Sequence, residues 1–371
     1  MKSNRKCLCM DYDEIEKGLQ GFLGASRVFT PSQLKRMVQG CSSLIVAGKC
    51  QFRALARVLH RDGRQDSRVQ WLRRLLDAPF LQSEYSYDPI IKWLLQSNTE
   101  AVWHVAMDRT HVEGWKQDVV MLSLNFRKRS LPLVWCRTPP GRAPTATILH
   151  LLKRASGLLP TSVQIIFHGD CEFGHAQIME WLRQHRWDFI AAQSGQTHFC
   201  VSGQGQFQAL STLPITRRHA CQLAQVQISS QHQFGDVNLV AFYQPHHRSP
   251  TQRSREIQYL ATSLPLSHAI RRLGKRRWGV ECLFQDWKSE GWDIEASNIT
   301  DPRRMDSILI LLSLIYVWLT LIGRSLCKNS QRYLVDAQPK RHLSLFHIGW
   351  DWLIYQWRCG LVNPHPSILY F

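Results

Sequence analysis

The sequence predicts a mixed α/β fold, with an all-α module ahead of it and a β-rich stretch set into it. Three observations carry this. Residues 101–192 place apolar strand runs and amphipathic helices in the order βββαβαβ. Residues 25–76 show helical periodicity alone and are strongly basic. Residues 193–265 are rich in Gln, Ser and Thr and alternate apolar and polar positions with period two. The chain has 371 residues, 44% hydrophobic and 20% charged, which is room for two or three folded domains and excludes disorder for most of it. Its 46 Lys and Arg against 28 Asp and Glu leave a net charge of +18. So large a surplus calls for a polyanionic partner, nucleic acid first and anionic lipid second.

The basic module opens with Thr30 as N-cap, Pro31 in the first turn and Gln33 at the capping-box position, followed by Leu34, Val38 and Cys41 at helical spacing. A second helix carries Phe52, Leu55, Ala56 and Leu59 on one face, with Arg53, Arg57 and His60 beside them. A third carries Val69, Leu72, Leu75 and Leu76, with Arg68, Arg73 and Arg74 outside. The stretch holds 11 basic residues and two acids, Asp62 and Asp66. Charge this one-sided predicts DNA docking, with Arg53, Arg57, Arg73 and Arg74 as the contacts.

Within the α/β part, a first strand at 101–107 ends in Asp108. Strands at 119–124 and 131–135 form a hairpin around the basic turn 127–130. A helix at 145–158, a strand at 163–167 leading to Asp170, a helix at 174–185 and a strand at 187–192 follow. In the β-rich stretch, 225–228 and 237–243 read as strands, with Gly235-Asp236 as a turn between them. Helices return at 268–289 and 303–324, residues 329–344 read as a loop, and 347–357 as a short aromatic packing helix. The expected boundaries are 1–95, 96–192, 193–265, 266–328 and 329–371. The helix 303–324 and the aromatic segment are expected to cover the α/β core.

The uncharged run 307–323 is close to the lower length limit for a bilayer span but lacks aromatic flanks, so it predicts a buried core helix, with a membrane span as the alternative. The 11 Cys form no CxxC pair, and Cys7 and Cys9 are too close-set for a zinc site. With no secretory signal opening the chain, free thiols in a reducing cytoplasm are expected.

The chemistry is carried by acids. Asp108 and Asp170 each follow an apolar run, and if the first and fourth strands are neighbours both carboxylates project from one sheet edge. Glu281 lies in a strongly basic helix, where Arg277, Glu281 and Lys288 are spaced by four and seven; at ~100° per residue they share a stripe of about 60°. Three converging carboxylates suit phosphodiester chemistry: hard Mg²⁺ or Mn²⁺ takes oxygen ligands, and two ions ~3.5–4 Å apart clamp both oxygens of an in-line displacement. Other candidates rank lower. Glu172 reads as a solvated neighbour of Asp170, Asp118 and Glu113 have no partner spacing, and Asp286 at i+5 faces off the stripe. His104 reads as a satisfied polar neighbour of Asp108, and His246-His247 as loop.

Three blocks carry a family resemblance: AMDRTHVEGW around Asp108, IIFHGDCEFGHAQIMEWLRQHRWDFI around Asp170, and the long block 259–319 around Glu281. The sequence resembles bacterial insertion-sequence transposases of the DDE class, in the group named after insertion sequence four, over most of its length. That family's signature is Tyr, two residues, Arg, three residues, Glu, six residues, Lys. Arg277, Glu281 and Lys288 fit it, and Gly274 stands at the Tyr position.

The resemblance implies a ribonuclease-H-like core with an inserted β-subdomain and an N-terminal DNA-binding domain. It implies that Asp108 bridges two Mg²⁺ or Mn²⁺ ions, with Asp170 holding one and Glu281 the other. Water then cuts at the transposon end, and the 3′-OH left behind attacks target DNA, with no covalent protein–DNA intermediate. Arg277 and Lys288 would position phosphates, and the N-terminal helices would read the terminal inverted repeats. The insertion, +7 over 191–276, offers a further DNA contact. In relatives an aromatic of the insertion stacks on a flipped base; Phe234, Phe242 and Tyr243 are the residues available here. A homodimer synapsing two ends, in a bacterial cytoplasm at the nucleoid and without a membrane, completes the expectation. The rivals are an end-binding protein whose chemistry is lost and a plain metal-dependent nuclease.

Overall fold

The computed structural model describes residues 12–202, 205–216, 219–244 and 256–359; Cys7, Cys9 and His246-His247 lie outside these. In chain order the helices are α1 (Tyr12–Ala25), α2 (Pro31–Ala47), α3 (Phe52–Val58), α4 (Gln65–Leu76), α5 (Asp88–Leu95), α6 (Thr145–Ser156), α7 (Ala176–Gln184), α8 (Ala269–Gly274), α9 (Trp278–Trp287), α10 (Pro302–Lys328) and α11 (Leu345–Cys359). The strands are β1 (Val102–Val112), β2 (Gln117–Phe126), β3 (Arg129–Thr138), β4 (Gln164–Gly169), β5 (Asp188–Gln193), β6 (His198–Val201), β7 (Gln208–Ala209), β8 (Cys221–Ile228), β9 (Phe234–Gln244) and β10 (Glu256–Thr262). The chain divides into two units. A helical unit takes Met1–Thr99, Val112–Gln117 and Phe284–Phe371, and a sheet unit takes Glu100–His111 and Asp118–Leu283.

The sheet has ten strands in the order β3-β2-β1-β4-β5-β10-β9-β8-β6-β7. β1, β4 and β5 run parallel, while β2 and β3 form an antiparallel ribbon at one edge. This β3-β2-β1-β4-β5 arrangement has the strand order expected of a ribonuclease-H-like core. Arg127 and Lys128 make the β2–β3 turn, both with positive φ (47° and 73°), the backbone that a two-residue hairpin loop of matching twist requires.

The inserted strands extend this same sheet: β10 pairs antiparallel with β5, and β9 with β10. Their period-two alternation puts Val240, Phe242 and Leu260 in one apolar cluster with Ile166 and Ile190, and Ile270 of α8 joins it. The β8–β9 connection falls before Phe234, so Gly235 and Asp236 sit inside β9 instead of forming the turn. The expected helix 268–289 is also interrupted, with a 3-10 turn at Lys275–Arg277 separating α8 from α9.

In the helical unit, Thr30 caps α2 as its sequence requires. Its hydroxyl accepts from the Gln33 N–H at 3.3 Å, and its own N–H donates to the Gln33 side chain at 3.0 Å. The Asp301 carboxylate caps α10, accepting from the N–H groups of Arg303 and Arg304. The uncharged run 307–323 lies within α10, whose most apolar 18-residue window is 94% buried. A helix apolar on all sides needs partners on all sides. Here α2, α4 and α11 supply them, so α10 is a core helix of the helical unit. In α11, Phe346 and Trp350 pack on the rings of Trp292 and Tyr316. Leu312, fully buried in α10, tests this core. Leu312→Ala is expected to cost about 2–5 kcal/mol of unfolding free energy, read as a lower urea midpoint.

Candidate active site

β1 and β4 lie side by side, with Met107 paired to Gly169, so the next residue on each is an acid, Asp108 or Asp170. Asp170 follows the end of β4 as expected. Asp108 does not follow the end of its strand, because β1 continues to Val112 before the 3-10 turn Glu113–Trp115 leads to β2. Asp108 is buried. Its Oδ1 accepts from the Arg109 N–H at 2.8 Å and its Oδ2 from Nη1 of Arg277 at 2.8 Å. Arg277 reaches Oε1 of Glu281 with Nη2 at 2.6 Å. Asp170 Oδ1 accepts from the Glu172 N–H at 2.8 Å. Burial pushes the Asp108 carboxyl up to about 6; Arg277 and the Arg109 N–H oppose that rise, and the charges of Asp170 and Glu281 add to it. Three acids distant in the chain thus share one electrostatic neighbourhood.

Two glycines let the basic helix come this close. A Cβ at Gly279 would lie 2.6 Å from Ser130 Oγ and 3.2 Å from the Arg129 carbonyl, so the first turn of α9 rests directly on the β2–β3 hairpin. Asn125 ties the preceding turn there by donating to the Arg276 carbonyl at 2.9 Å. At Gly274 a Cβ would lie 2.9 Å from Leu260 Cδ1, so the chain passes over β10 where the related signature carries a Tyr. Beside it opens a cleft of about 460 Å³, lined among others by Asp170, Arg277, Gly274, Leu260 and Phe242.

The expected stripe of Arg277, Glu281 and Lys288 changes form. Arg277 belongs to the 3-10 turn, and Lys288 lies beyond α9, where its ammonium pairs with Glu295 at 3.1 Å in the helical unit. Of the aromatics proposed from the insertion, Phe234 and Phe242 are buried, with Arg183 3.9 Å and Arg271 4.5 Å above their rings. Tyr243 is half-buried. The exposed ring next to Arg277 is Trp278, just past the insertion. In the helical unit, Arg53, Arg57 and Arg74 are exposed on α3 and α4, whereas Arg73 is half-buried with its guanidinium over Phe52.

Sequence reasoning missed a second charged group in the sheet unit. Arg109 pairs with Asp118 at 2.5 Å and with Glu172 at 2.9 Å, and His111 lies 2.6 Å from Asp118. The available signal was adjacency: Arg109 follows Asp108, and Glu172 is two residues from Asp170. His104, expected as a neighbour of Asp108, is partnered by His168, its Nδ1 2.9 Å from Nε2 of that ring, and burial lowers the pKa of both rings.

A buried Asp108 whose ionisation is opposed by Asp170 and Glu281, with a guanidinium held between Asp108 and Glu281, offers carboxylate oxygens of the kind hard divalent cations take. Among the described residues, the trio of His and acids whose ligand atoms all lie within 4.8 Å of one another is a different one, Asp286, Glu290 and His347 of the helical unit. There Asp286 accepts from the Tyr316 hydroxyl at 3.0 Å.

The sequence family described as Transposase DDE domain matches residues 101–318, more than half of the chain. No curated protein matches it. Among solved structures, the chain is similar to the cryo-EM structure of a piggyBac transposase synaptic complex with hairpin DNA. The identity is 11% and the TM-score 0.48, over 97% of this chain and 81% of that one.

Asp108 keeps its proton to about pH 6 when folded but ionises near 3.8 when unfolded. The folded chain therefore binds the extra proton between those values. The stability this group contributes is full below about pH 4, falls as pH rises to 6 and is lost above it. Asp108→Asn, which imitates the protonated form, is expected to exceed the unsubstituted chain by roughly 2–3 kcal/mol at pH 8 and to equal it at pH 4. Urea unfolding at both pH values, without divalent ions, reads the difference.

Proposed function

Because the chain belongs to the transposase DDE domain family, we propose that it cuts DNA at the ends of its own mobile element and joins the freed 3′-OH to target DNA. One observation carries this reading: Arg277 joins Asp108 to Glu281, and the ionisation of Asp108 is opposed by both Asp170 and Glu281. Asp108, Asp170 and Glu281 are the residues that would hold a pair of divalent cations, Mg²⁺ or Mn²⁺. Bound there, the cations supply Lewis acidity to the phosphodiester and lower the pKa of a water.

The protein's part is to hold the strand and exclude wrong geometries. Arg277 and Lys288 are the proposed phosphate contacts, Arg277 because its fork already grips two carboxylates and matches a phosphate equally well. Exposed Arg53, Arg57 and Arg74, with Arg73, are the proposed contacts of the basic helices with the inverted repeats. The net charge of +18 supports this sequence-independent hold on DNA. A homodimer that pairs two ends, acting on the bacterial nucleoid, is part of the same reading. With Gly274 at the Tyr position, the phosphate contact of that Tyr is absent from this proposal.

The test uses the full chain, Mg²⁺ and labelled DNA carrying the inverted repeats that flank its gene. The expected result is a nick at the element end, followed by joining of the 3′-OH to a second duplex. Asp108→Asn, Asp170→Asn and Glu281→Gln are each expected to lower cleavage about a thousandfold or more while end binding persists. Nicking without joining would identify a plain nuclease. Binding without nicking would identify an end-binding protein.

A further inference from the structure

The following inference rests on the reading just given. Arg109, Asp118 and Glu172 form a charged group for which the proposed chemistry has no use. The Asp118 side chain is 1% exposed and that of Glu172 12%. Burying two carboxylates is costly unless each is paired and hydrogen-bonded, and here each is. Arg109 donates through Nη1 to Asp118 Oδ2 and through Nε to Glu172 Oε2. Each acid also accepts a backbone N–H from the connection after β3: Gly141 to Asp118 at 3.1 Å, and Ala143 to Glu172 at 2.8 Å.

The connectivity gives the group a direction. Arg109 directly follows Asp108, and its own N–H donates to that carboxylate. Glu172 closes the turn after β4, and its N–H donates to Asp170 Oδ1 at 2.8 Å. One guanidinium therefore spans from the residue after the first acid to the residue that hydrogen-bonds the second. Asp108 sits in a strand, where the ladder holds it. Asp170 sits in a turn, where its direction depends on what anchors that turn.

We propose that Arg109 is a positioning residue for the divalent-cation site. Through Glu172, it holds the Asp170 turn against β1 at the spacing the two carboxylates need to share a metal pair. Groups that orient metal ligands in this way change affinity by about 10–100-fold when removed. A role in folding alone would instead lower stability and leave cation affinity where it is.

The experiment titrates the full chain with Mn²⁺ alone, counting free ion by electron paramagnetic resonance, and records the thermal unfolding midpoint of each variant. The ion of interest is the one that Asp108→Asn removes. Arg109→Gln and Glu172→Gln are expected to weaken it at least about tenfold, with Arg109→Lys intermediate because an ammonium cannot fork between two carboxylates. Wild-type Mn²⁺ affinity in both folded Gln variants would overturn the proposal. If Arg109→Gln does not fold, Glu172→Gln decides alone, since it keeps the backbone donor to Asp170 and an oxygen for Ala143. If Asp108→Asn removes no ion, the three-acid reading fails and this inference falls with it. If Asp108→Asn removes one and Glu172→Gln leaves it intact, the failure is that of the Arg109 inference alone.

Discussion

Carboxylates that share a neighbourhood repel, and the sheet unit is arranged around that repulsion. Asp108 is buried in β1 with Asp170 and Glu281 both disfavouring its charge, and the Arg277 guanidinium keeps Asp108 and Glu281 together. The guanidinium offsets part of the cost of burying the Asp108 charge and not all of it, since the carboxyl is still pushed up to about 6. The demand for positive charge explains why Glu281 comes on a helix preceded by Lys275, Arg276 and Arg277. It also explains why a second guanidinium, Arg109, balances the acids around it.

Backbone geometry brings these charges together. Parallel pairing of β1 with β4 aligns Met107 with Gly169 and so makes neighbours of two acids 62 positions apart. The third acid arrives only because Gly279 lets α9 rest on the β2–β3 hairpin and because the chain bends at Lys275–Arg277. At the same passage over β10 a Cβ at 274 would press on the end of the Leu260 side chain, so the position that departs from the related signature is also a packing contact with Leu260. The inserted strands bear on the site through this contact, since β10 is both the neighbour of β5 and the surface beneath α8.

The helical unit follows a separate logic. Its apolar axis is α10, enclosed by α2, α4 and α11, and its charge is spread over the outer faces of α3 and α4. An apolar core with a cationic exterior is the expected form for a surface that meets the DNA backbone. Cation–π contacts such as Arg73 over Phe52 and Arg36 over Phe80 hold some of these side chains to the unit, and Arg53, Arg57 and Arg74 remain exposed.

Much of this was legible in residue order. Apolar periodicity located β2 to β5, β9, α6, α7, α10 and α11 to within a few residues, and the Thr30-Pro31-Ser32-Gln33 start foretold its capping box. Such features are local: a capping oxygen or a helix repeat finds its partner within one turn, so adjacent residues suffice to specify it. The break in the helix at 275–277, the extension of the sheet by β10, the burial of Phe234 and Phe242, the partners of α10 and the Arg109–Asp118–Glu172 group were not legible. Each depends on which surfaces meet across long stretches of chain. Apolar residues state that they will be buried but not against what, and a charged residue states nothing of the partner that makes its burial tolerable.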